Sequence, residues 1–278
     1  MLGVGNGGSF VSAVTPTQDR TGPAWWFAFR DERLLILDHA DGSTLPFITD
    51  LAEIGLGPLR TLYLGRLDGV ECFAAALPAE AQASDGYAFR GIRALFGALP
   101  DDLLAVAGRA TQLLTWERTH RFCGQCGSPT EHLAGERAMK CPSCGHIAYP
   151  RLSPAVIVQV TRGEEILLAR GLNFADGMYS TPAGFVEPGE TLEEAVAREI
   201  HEELGISVRD IRYFASQPWP FPHQLMVGFT AVWAAGEITI DPSELADARW
   251  FTRGTMPTIP TPISISRRLI DHYLHGAP

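Results

Sequence analysis

The chain has 278 residues, of which 46% are hydrophobic and 19% charged, with a formal net charge of −10. That length and composition describe one large or two ordinary globular domains and exclude a disordered chain. No apolar run reaches the roughly 18 residues of a membrane helix, and the acidic balance argues against a general nucleic-acid binder, which is normally basic.

Residues 1–22 carry no basic stretch before an apolar core, so they read as a flexible leader and the cytoplasm is the expected compartment. Trp25–Phe29 and Leu34–Leu37 predict two strands joined at Arg30-Asp31-Glu32. A second pair is expected at Thr61–Leu64 and Val70–Ala76, turning at Asp68-Gly69. Gly91–Leu99 reads as helical, then Asp101 and Asp102 as a cap for a helix running to about Glu117. Residues 23–118 are thus expected to form a small α+β domain with no catalytic cluster, and Cys72, in a strand-like run, is expected to be a core thiol.

Basic side chains gather farther on: Arg109, Arg118, His120, Arg121, Arg137, Lys140 and Arg151. Ordinary surface charge accounts for them most simply. Within this stretch Cys123-Gly-Gln-Cys126 and Cys141-Pro-Ser-Cys144 are separated by fourteen residues. Two such knuckles offer four thiolates to one tetrahedral Zn²⁺ per chain, a structural ion because no position stays open for catalytic water. Residues 119–150 are therefore expected to be a zinc ribbon; a redox dithiol pair is the alternative.

From 151 to 278 strands are expected at Pro154–Val160, Glu165–Arg170, Asp210–Ala215, Leu225–Ala234 and Glu237–Ile240, with a last helix near Ile265–Leu274. A central helix lies among them. Thr191 and Glu194 form its capping box, Leu192, Val196, Ile200 and Leu204 its apolar stripe, and Gly205 its stop. From Glu199 the next acids fall at i+3 (Glu202) and i+4 (Glu203), crowding one side of the helix. Such like-charge pairs call for compensation, which a divalent cation with oxygen ligands would give. Arg198 is placed to brace Glu194 or Glu202. Strands before and after this helix predict a mixed sheet covered on both faces. Between two strands lies Ser216-Gln-Pro-Trp-Pro-Phe-Pro222. Its alternate prolines preclude a helix and hold Trp219 and Phe221 in a stiff loop, where flat rings either anchor the core or stack on a ligand ring.

Gly184, Glu190, Arg198, Glu199, Ile200, Glu202, Glu203, Gly205 and Ile206 follow the spacing G-x5-E-x7-R-E-I-x-E-E-x-G-I. This resembles the Nudix box at every specified position. With the ribbon before it and SQPWPFP after it, the chain resembles the NADH pyrophosphatase (NudC-like) branch of the Nudix hydrolases over about residues 90–275, and more loosely before that.

The resemblance implies an α/β/α Nudix sandwich with a mixed sheet, overall α/β (α+β), behind the ribbon and the N-terminal domain. It implies hydrolysis of the pyrophosphate of NAD(H) to nicotinamide mononucleotide and AMP, removal of NAD caps from RNA 5′ ends, and a homodimer. It places two or three Mg²⁺ or Mn²⁺ ions on Glu199, Glu202, Glu203, Glu244 and the carbonyl of Ala183, with one of the glutamates as base and with Arg198 and Glu190 orienting. Substrate positions of the family fall on Arg93, Glu136, Tyr149, Phe185, Gln217, Pro218, Trp219, Pro220, Phe221, Pro222, His223, Gln224 and Ser266. Gln224 stands where the family usually has serine and Ser266 where it usually has alanine, which bears on fine specificity. Two other readings compete: a Nudix hydrolase of another nucleoside diphosphate derivative such as ADP-ribose, and a non-catalytic RNA-binding zinc-ribbon protein.

Overall fold

A computed structural model describes residues 9–16, 22–39 and 42–276, so the predicted leader falls largely outside the described residues. The chain forms two compact units, Met1–Arg151 and Leu152–Pro278.

In the first unit β1 (Phe10–Ser12), β2 (Ala24–Arg30), β3 (Arg33–His39), β4 (Gly42–Thr44), β5 (Phe47–Ile48), β6 (Arg60–Leu67), β7 (Val70–Ala76) and β8 (Tyr87–Gly91) precede helix α1 (Asp101–Thr119). They form one sheet in the order β1-β6-β7-β2-β3-β4, with β5 on β2 and β8 on β3. The β2–β7 pair is parallel and the other pairings are antiparallel. Part of the expected leader is therefore structured, because Phe10–Ser12 pairs with Gly65–Leu67. Gly65 makes that approach possible: at φ 131° it lies against the backbone of Val11 and Ser12, where a Cβ would collide. The expected helix at Gly91–Leu99 is a single 3₁₀ turn, Ile92–Leu95. Its apolar spacing is helical, but Gly97 is left-handed at φ 79° and Pro100 follows. The cap of α1 is Pro100 and not the two aspartates, which occupy the first turn. Cys72 is fully buried and burial pushes its thiol up to about 12, as a core residue requires.

The ribbon adds β9 (Glu131–His132), β10 (Met139–Lys140) and β11 (Ile147–Ala148), an antiparallel sheet with β10 central. Arg137 ties it to the N-terminal sheet, donating to the carbonyls of Tyr63 (3.1 Å) and Ala13 (2.7 Å).

In the second unit β12 (Ser153–Arg162), β13 (Glu165–Gly171), β14 (Ala183–Phe185), α2 (Leu192–Leu204), β15 (Ser207–Trp219), β16 (Gln224–Ala235), β17 (Leu245–Thr252) and α3 (Ile265–His275) build a mixed sheet. Its order is β15-β16-β12-β13-β17, with β14 on β12. Strand β12 runs parallel to β16. Alternation along β12 and β13 sends Val156, Val158, Val160 and Leu167 to one face, where they pack with Val196, Ile200 and Leu204 of α2. It sends Ile157, Ile166 and Leu168 to the other face, which Ile265, Leu269 and Ile270 of α3 cover. The sheet is covered on both faces, as the order of elements predicts. Each fully buried aliphatic side chain of α2 contributes about 1.5–3 kcal/mol.

Glu237–Ile240 is not a strand. Its alternation is real, since Ile238 and Ile240 reach the core around α2. Its backbone bonds a helix end instead of a sheet: Thr239 N–H donates to the carbonyl of Leu204 and Asp241 N–H to that of Glu203, both at 2.9 Å. These satisfy carbonyls that the last turn of α2 leaves open. The unforeseen strand β17 follows, pairing with β13.

Candidate active site

The site starts from the ends of α2. Thr191 Oγ1 accepts from Glu194 N–H while the Glu194 carboxylate accepts from Thr191 N–H, and Gly205 closes the helix at φ 69°. Arg198 lies at the centre of the predicted orienting group. Its Nε and Nη2 bind the two oxygens of Glu190 at 2.9 and 2.6 Å, and Nη1 binds Glu199 and Glu202, each at 2.9 Å. Nη2 also donates to the Phe185 carbonyl at 2.9 Å. Of its two expected partners, Arg198 takes Glu202; Glu194 is held by the cap. These bonds hold the Glu190 carboxyl well down, at about 2. Glu187 N–H donates to the same carboxylate (2.7 Å), so the loop entering the helix is fixed to the guanidinium.

Gly184 is required by packing. A Cβ there would fall inside the Glu199 carboxylate. Gly184 belongs to β14, where Ala183 and Gly184 pair with Ile157 and Val156. Backbone at the Ala183 carbonyl is therefore held by the sheet beside Glu199. Burial pushes the Glu199 carboxyl up, against the lowering effect of Arg198. Glu203 is pushed further, up to about 7, by burial first and then by Glu199, Glu244, Asp241 and Glu202. The field that Glu203 feels contains every predicted carboxylate ligand. Glu244 is brought there by Asp241, whose N–H is tied to Glu203 and whose carbonyl accepts from Glu244 N–H at 3.2 Å. Asp241 Oδ1 accepts from Ser243 N–H at 2.8 Å, closing that turn. Such hard, crowded carboxylates, with Glu199 and Glu203 half-buried and Glu202 and Glu244 exposed, suit divalent cations with oxygen ligands.

The SQPWPFP segment is a hairpin tip more than a loop. Strand β15 continues to Trp219, and Gln217, Pro218 and Trp219 pair with Met226, Leu225 and Gln224. Pro220, Phe221, Pro222 and His223 make the tip, with a cis Phe221–Pro222 peptide. Trp219 and Phe221 are half-buried and meet edge to face at 5.1 Å. His223 is anchored to β12 through Ser153, Nδ1 to Oγ at 3.2 Å. Gln217 is buried, and both ends of its amide are engaged: Nε2 donates to the Ile263 carbonyl (2.8 Å) and Oε1 accepts from Ile265 N–H (2.6 Å). Ser266 is buried too, its Oγ meeting Ser180 Oγ, Thr181 Oγ1 and Thr181 N–H at 2.7, 2.9 and 3.2 Å. These two side chains brace the start of α3, where the sequence reading has them among substrate positions. Phe185, in contrast, is 53% exposed.

Three predicted positions lie in the first unit. Tyr149 donates to Glu136 Oε2 at 3.0 Å, which raises the phenol's pKa. Arg93 sits in the 3₁₀ turn before α1. The cysteines meet as expected: the sulfur atoms of Cys123, Cys126, Cys141 and Cys144 lie within 4.8 Å of one another. Cys123 and Cys144 are 3.6 Å apart, Cys126 and Cys141 3.5 Å. A tetrahedral ion with Zn–S bonds of about 2.3 Å needs sulfurs near 3.8 Å, so the group fits zinc closely. Backbone and hydroxyl hydrogen bonds from Ser128 push the Cys126 thiol down to about 6, which favours thiolate. Among the described residues no helix is long and apolar enough to cross a membrane.

Three family models match the chain in succession: an NADH pyrophosphatase-like rudimentary NUDIX domain over residues 23–116, an NADH pyrophosphatase zinc ribbon domain over 118–149 and a NUDIX domain over 151–272. The chain is 52% identical over 235 residues to a Stutzerimonas stutzeri protein described as NAD-capped RNA hydrolase NudC, covering 84% of this chain and 85% of that one. Proteins of the same description match from Pseudomonas putida (48% over 265 residues, 95% and 94% covered) and Deinococcus radiodurans (46% over 255 residues, 90% and 88% covered).

Proposed function

The chain belongs to the NADH pyrophosphatase branch of the Nudix hydrolases, and from that premise we propose that it cleaves the pyrophosphate of NAD(H) and of NAD-capped RNA. The products are nicotinamide mononucleotide with AMP in one case and with a 5′-monophosphate RNA end in the other. The observation that carries this reading is the complete acidic face of α2, with Glu244 added beside it.

Glu199, Glu202, Glu203, Glu244 and the Ala183 carbonyl would hold two or three Mg²⁺ or Mn²⁺ ions. When bound, these ions neutralise pyrophosphate charge and lower the pKa of water. The chain's own part is positioning, which dominates phosphoanhydride cleavage. Arg198 fixes Glu190, Glu199 and Glu202 in one frame, and Gly184 lets Glu199 approach the β14 backbone. Exposed Phe185 and the paired rings of Trp219 and Phe221 offer flat surfaces for the base or the nicotinamide. Glu136, Tyr149, Arg93, Pro218, Pro220, Pro222, His223 and Gln224 join them as substrate contacts. For Gln217 and Ser266 the contact falls to main chain, since their side chains are engaged elsewhere. Zinc in the ribbon is structural. A cytoplasmic homodimer completes the proposal.

The test is kcat/KM measured side by side for NADH, NAD, ADP-ribose and NAD-capped RNA, with Mg²⁺ and Mn²⁺ in turn, and with sedimentation for the dimer. Preference for the NAD-containing substrates is expected. A clear preference for ADP-ribose would refute the substrate assignment and leave the pyrophosphatase chemistry standing.

A further inference from the structure

A recess of about 300 Å³ lies in the first unit, outside the carboxylate site, between β6 and the ribbon. Arg60, Arg121 and His132 bring nitrogen to its wall, Phe122 an aromatic ring, and Thr130 and Glu131 polar oxygen. Beneath it sits Glu117 of α1, only 3% exposed. Its Oε1 receives Arg60 Nη1 at 3.2 Å and His132 Nε2 at 2.7 Å, while Oε2 has no partner among the described residues. A buried carboxylate is costly unless paired. Here it fixes the orientation of two nitrogen-bearing side chains that line the recess. Arg60 gives Glu117 only Nη1, and its side chain remains 40% exposed.

Phe122 is 63% exposed, an unusual exposure for so large an apolar ring. Its backbone is not loose. Cys123 N–H donates to the Ser128 carbonyl at 2.8 Å, Thr130 N–H to that of Arg121 at 3.0 Å, and Thr130 Oγ1 to that of His120 at 2.5 Å. The zinc knuckle thus presents a ring on a rigid support beside two guanidinium groups. Aromatic faces with arginine are the means by which proteins hold unstacked bases, and arginine also takes the phosphate. The volume is at the low end of the roughly 300–1,000 Å³ typical of ligand sites, so it suits one nucleotide rather than a dinucleotide.

We propose that this recess binds one nucleotide of the single-stranded RNA that follows the cap, the base on Phe122 and its phosphate at Arg60 and Arg121. Glu131 accepts from an exocyclic amine or a 2′-hydroxyl. This rests on the reading that capped RNA is a substrate, and it gives Arg121, one member of the basic cluster, a role beyond ordinary surface charge.

The experiment compares the native chain with Phe122→Ala, Arg121→Gln and Phe122→Trp, each checked for one bound zinc. Substrates are NADH and NAD-capped oligoribonucleotides of increasing length. Beyond a threshold length, kcat/KM on capped RNA should fall about tenfold in Phe122→Ala and in Arg121→Gln. Phe122→Trp should keep the native value, and NADH should stay within about twofold throughout. Equal losses on NADH and RNA would make the ring part of the scaffold and overturn the proposal, as would unchanged kinetics at every length. A response of NADH hydrolysis to free cytidine monophosphate, lost in the variants, would assign the recess to a small effector instead. A native chain that cleaves NADH but no capped RNA would refute the functional reading separately. Anisotropy with 5′-monophosphate RNA then decides the site: native binding weakened in Phe122→Ala keeps it, and equal or absent binding discards it.

Discussion

The two units share a core topology, to which the first adds β1, β4 and the ribbon, and within that core they differ in one element. In the first, β5 lies antiparallel on β2, β8 on β3, and β2 runs parallel to β7. In the second, β14 lies antiparallel on β12, β17 on β13, and β12 runs parallel to β16. A helix closes each, α1 and α3. Where the second unit has α2, the first has a 3₁₀ turn, Leu51–Ile54. Even the ends agree: both have a reciprocal capping box, Asp50 with Glu53 and Thr191 with Glu194, and both stop on a left-handed glycine, Gly55 and Gly205. The turn has room for one acid, and Glu53 Oε1 is engaged with the N–H groups of Thr49 and Asp50. The fold tolerates shortening this element to a turn. The chemistry does not, because the rest of the 13-residue helix, about two and a half turns beyond the length of the four-residue turn, carries the arginine and the carboxylates.

Exchanging acids in the two units is the sharpest way to break that comparison. Glu203→Gln should lower kcat by about 10²–10⁴-fold with the fold intact, since a charged ligand is lost at constant shape. Glu53→Ala in the first unit should leave kcat unchanged and lower stability by about 1 kcal/mol, the usual worth of a cap. Steady-state kinetics with thermal melts read both. Retained activity in Glu203→Gln would sink the assignment of the site. Gly184→Ala comes next. The added methyl displaces the Glu199 carboxylate, while the pairing of residue 184 with Val156 uses only backbone. A loss of about 10²-fold is expected from a misplacement near 1 Å, with weaker activation by Mg²⁺ and an unchanged melting temperature.

Much of the second unit was legible because its signals are local. The capping box, the i, i+4 stripe and the stop at Gly205 fix α2 within one residue, and the CxxC pairs place the zinc cage. What escaped depended on partners distant in sequence. Glu237–Ile240 alternates like a strand, but the open carbonyls of α2 claim its N–H groups. Strand β17, LADARWFT, mixes polar and apolar residues and takes its identity from β13. Gln217 and Ser266 carry polar side chains suited to a substrate, and no local pattern reveals that α3 uses them. In the first unit β1 was hidden because its partner, β6, lies more than fifty residues away.

A smaller effect concerns the charge that α2 concentrates. In the metal-free chain Glu203 is pushed up to about 7, chiefly by burial. Its native pKa therefore lies above its unfolded value, so the native state binds the extra proton between the ordinary carboxylate range and about 7. Stability contributed by the neutral carboxyl is present at low pH and lost as pH rises through that window. Chelated Glu203→Gln should melt above the chelated native chain at about pH 8, by roughly 1 kcal/mol after allowance for solvent screening, and the gap should close near pH 5. Adding a divalent cation at pH 8 should raise the native chain's melting temperature and leave the variant's nearly unchanged. A gap that widened on acidification would contradict the burial of Glu203.

Ser266→Ala is the mildest test, and it asks how the second unit supports its site. Helix α1 begins at Pro100 with no side-chain cap. Helix α3 is tied at its start by Ser264, Gln217 and Ser266. Ser266 reaches Ser180 and Thr181, three and two residues before Ala183, whose carbonyl is a proposed ligand. Removing the hydroxyl leaves Thr181 N–H buried without its acceptor, which costs about 1–2 kcal/mol. The carbonyl itself should hardly move. Val158 N–H still binds the Pro182 carbonyl at 3.0 Å, and Ala183 still pairs with Ile157. We therefore expect kcat within about threefold of native and the melting temperature a few degrees lower. A fall in kcat near that of Gly184→Ala would show that the hydroxyl group, and not the sheet, sets the position of Ala183.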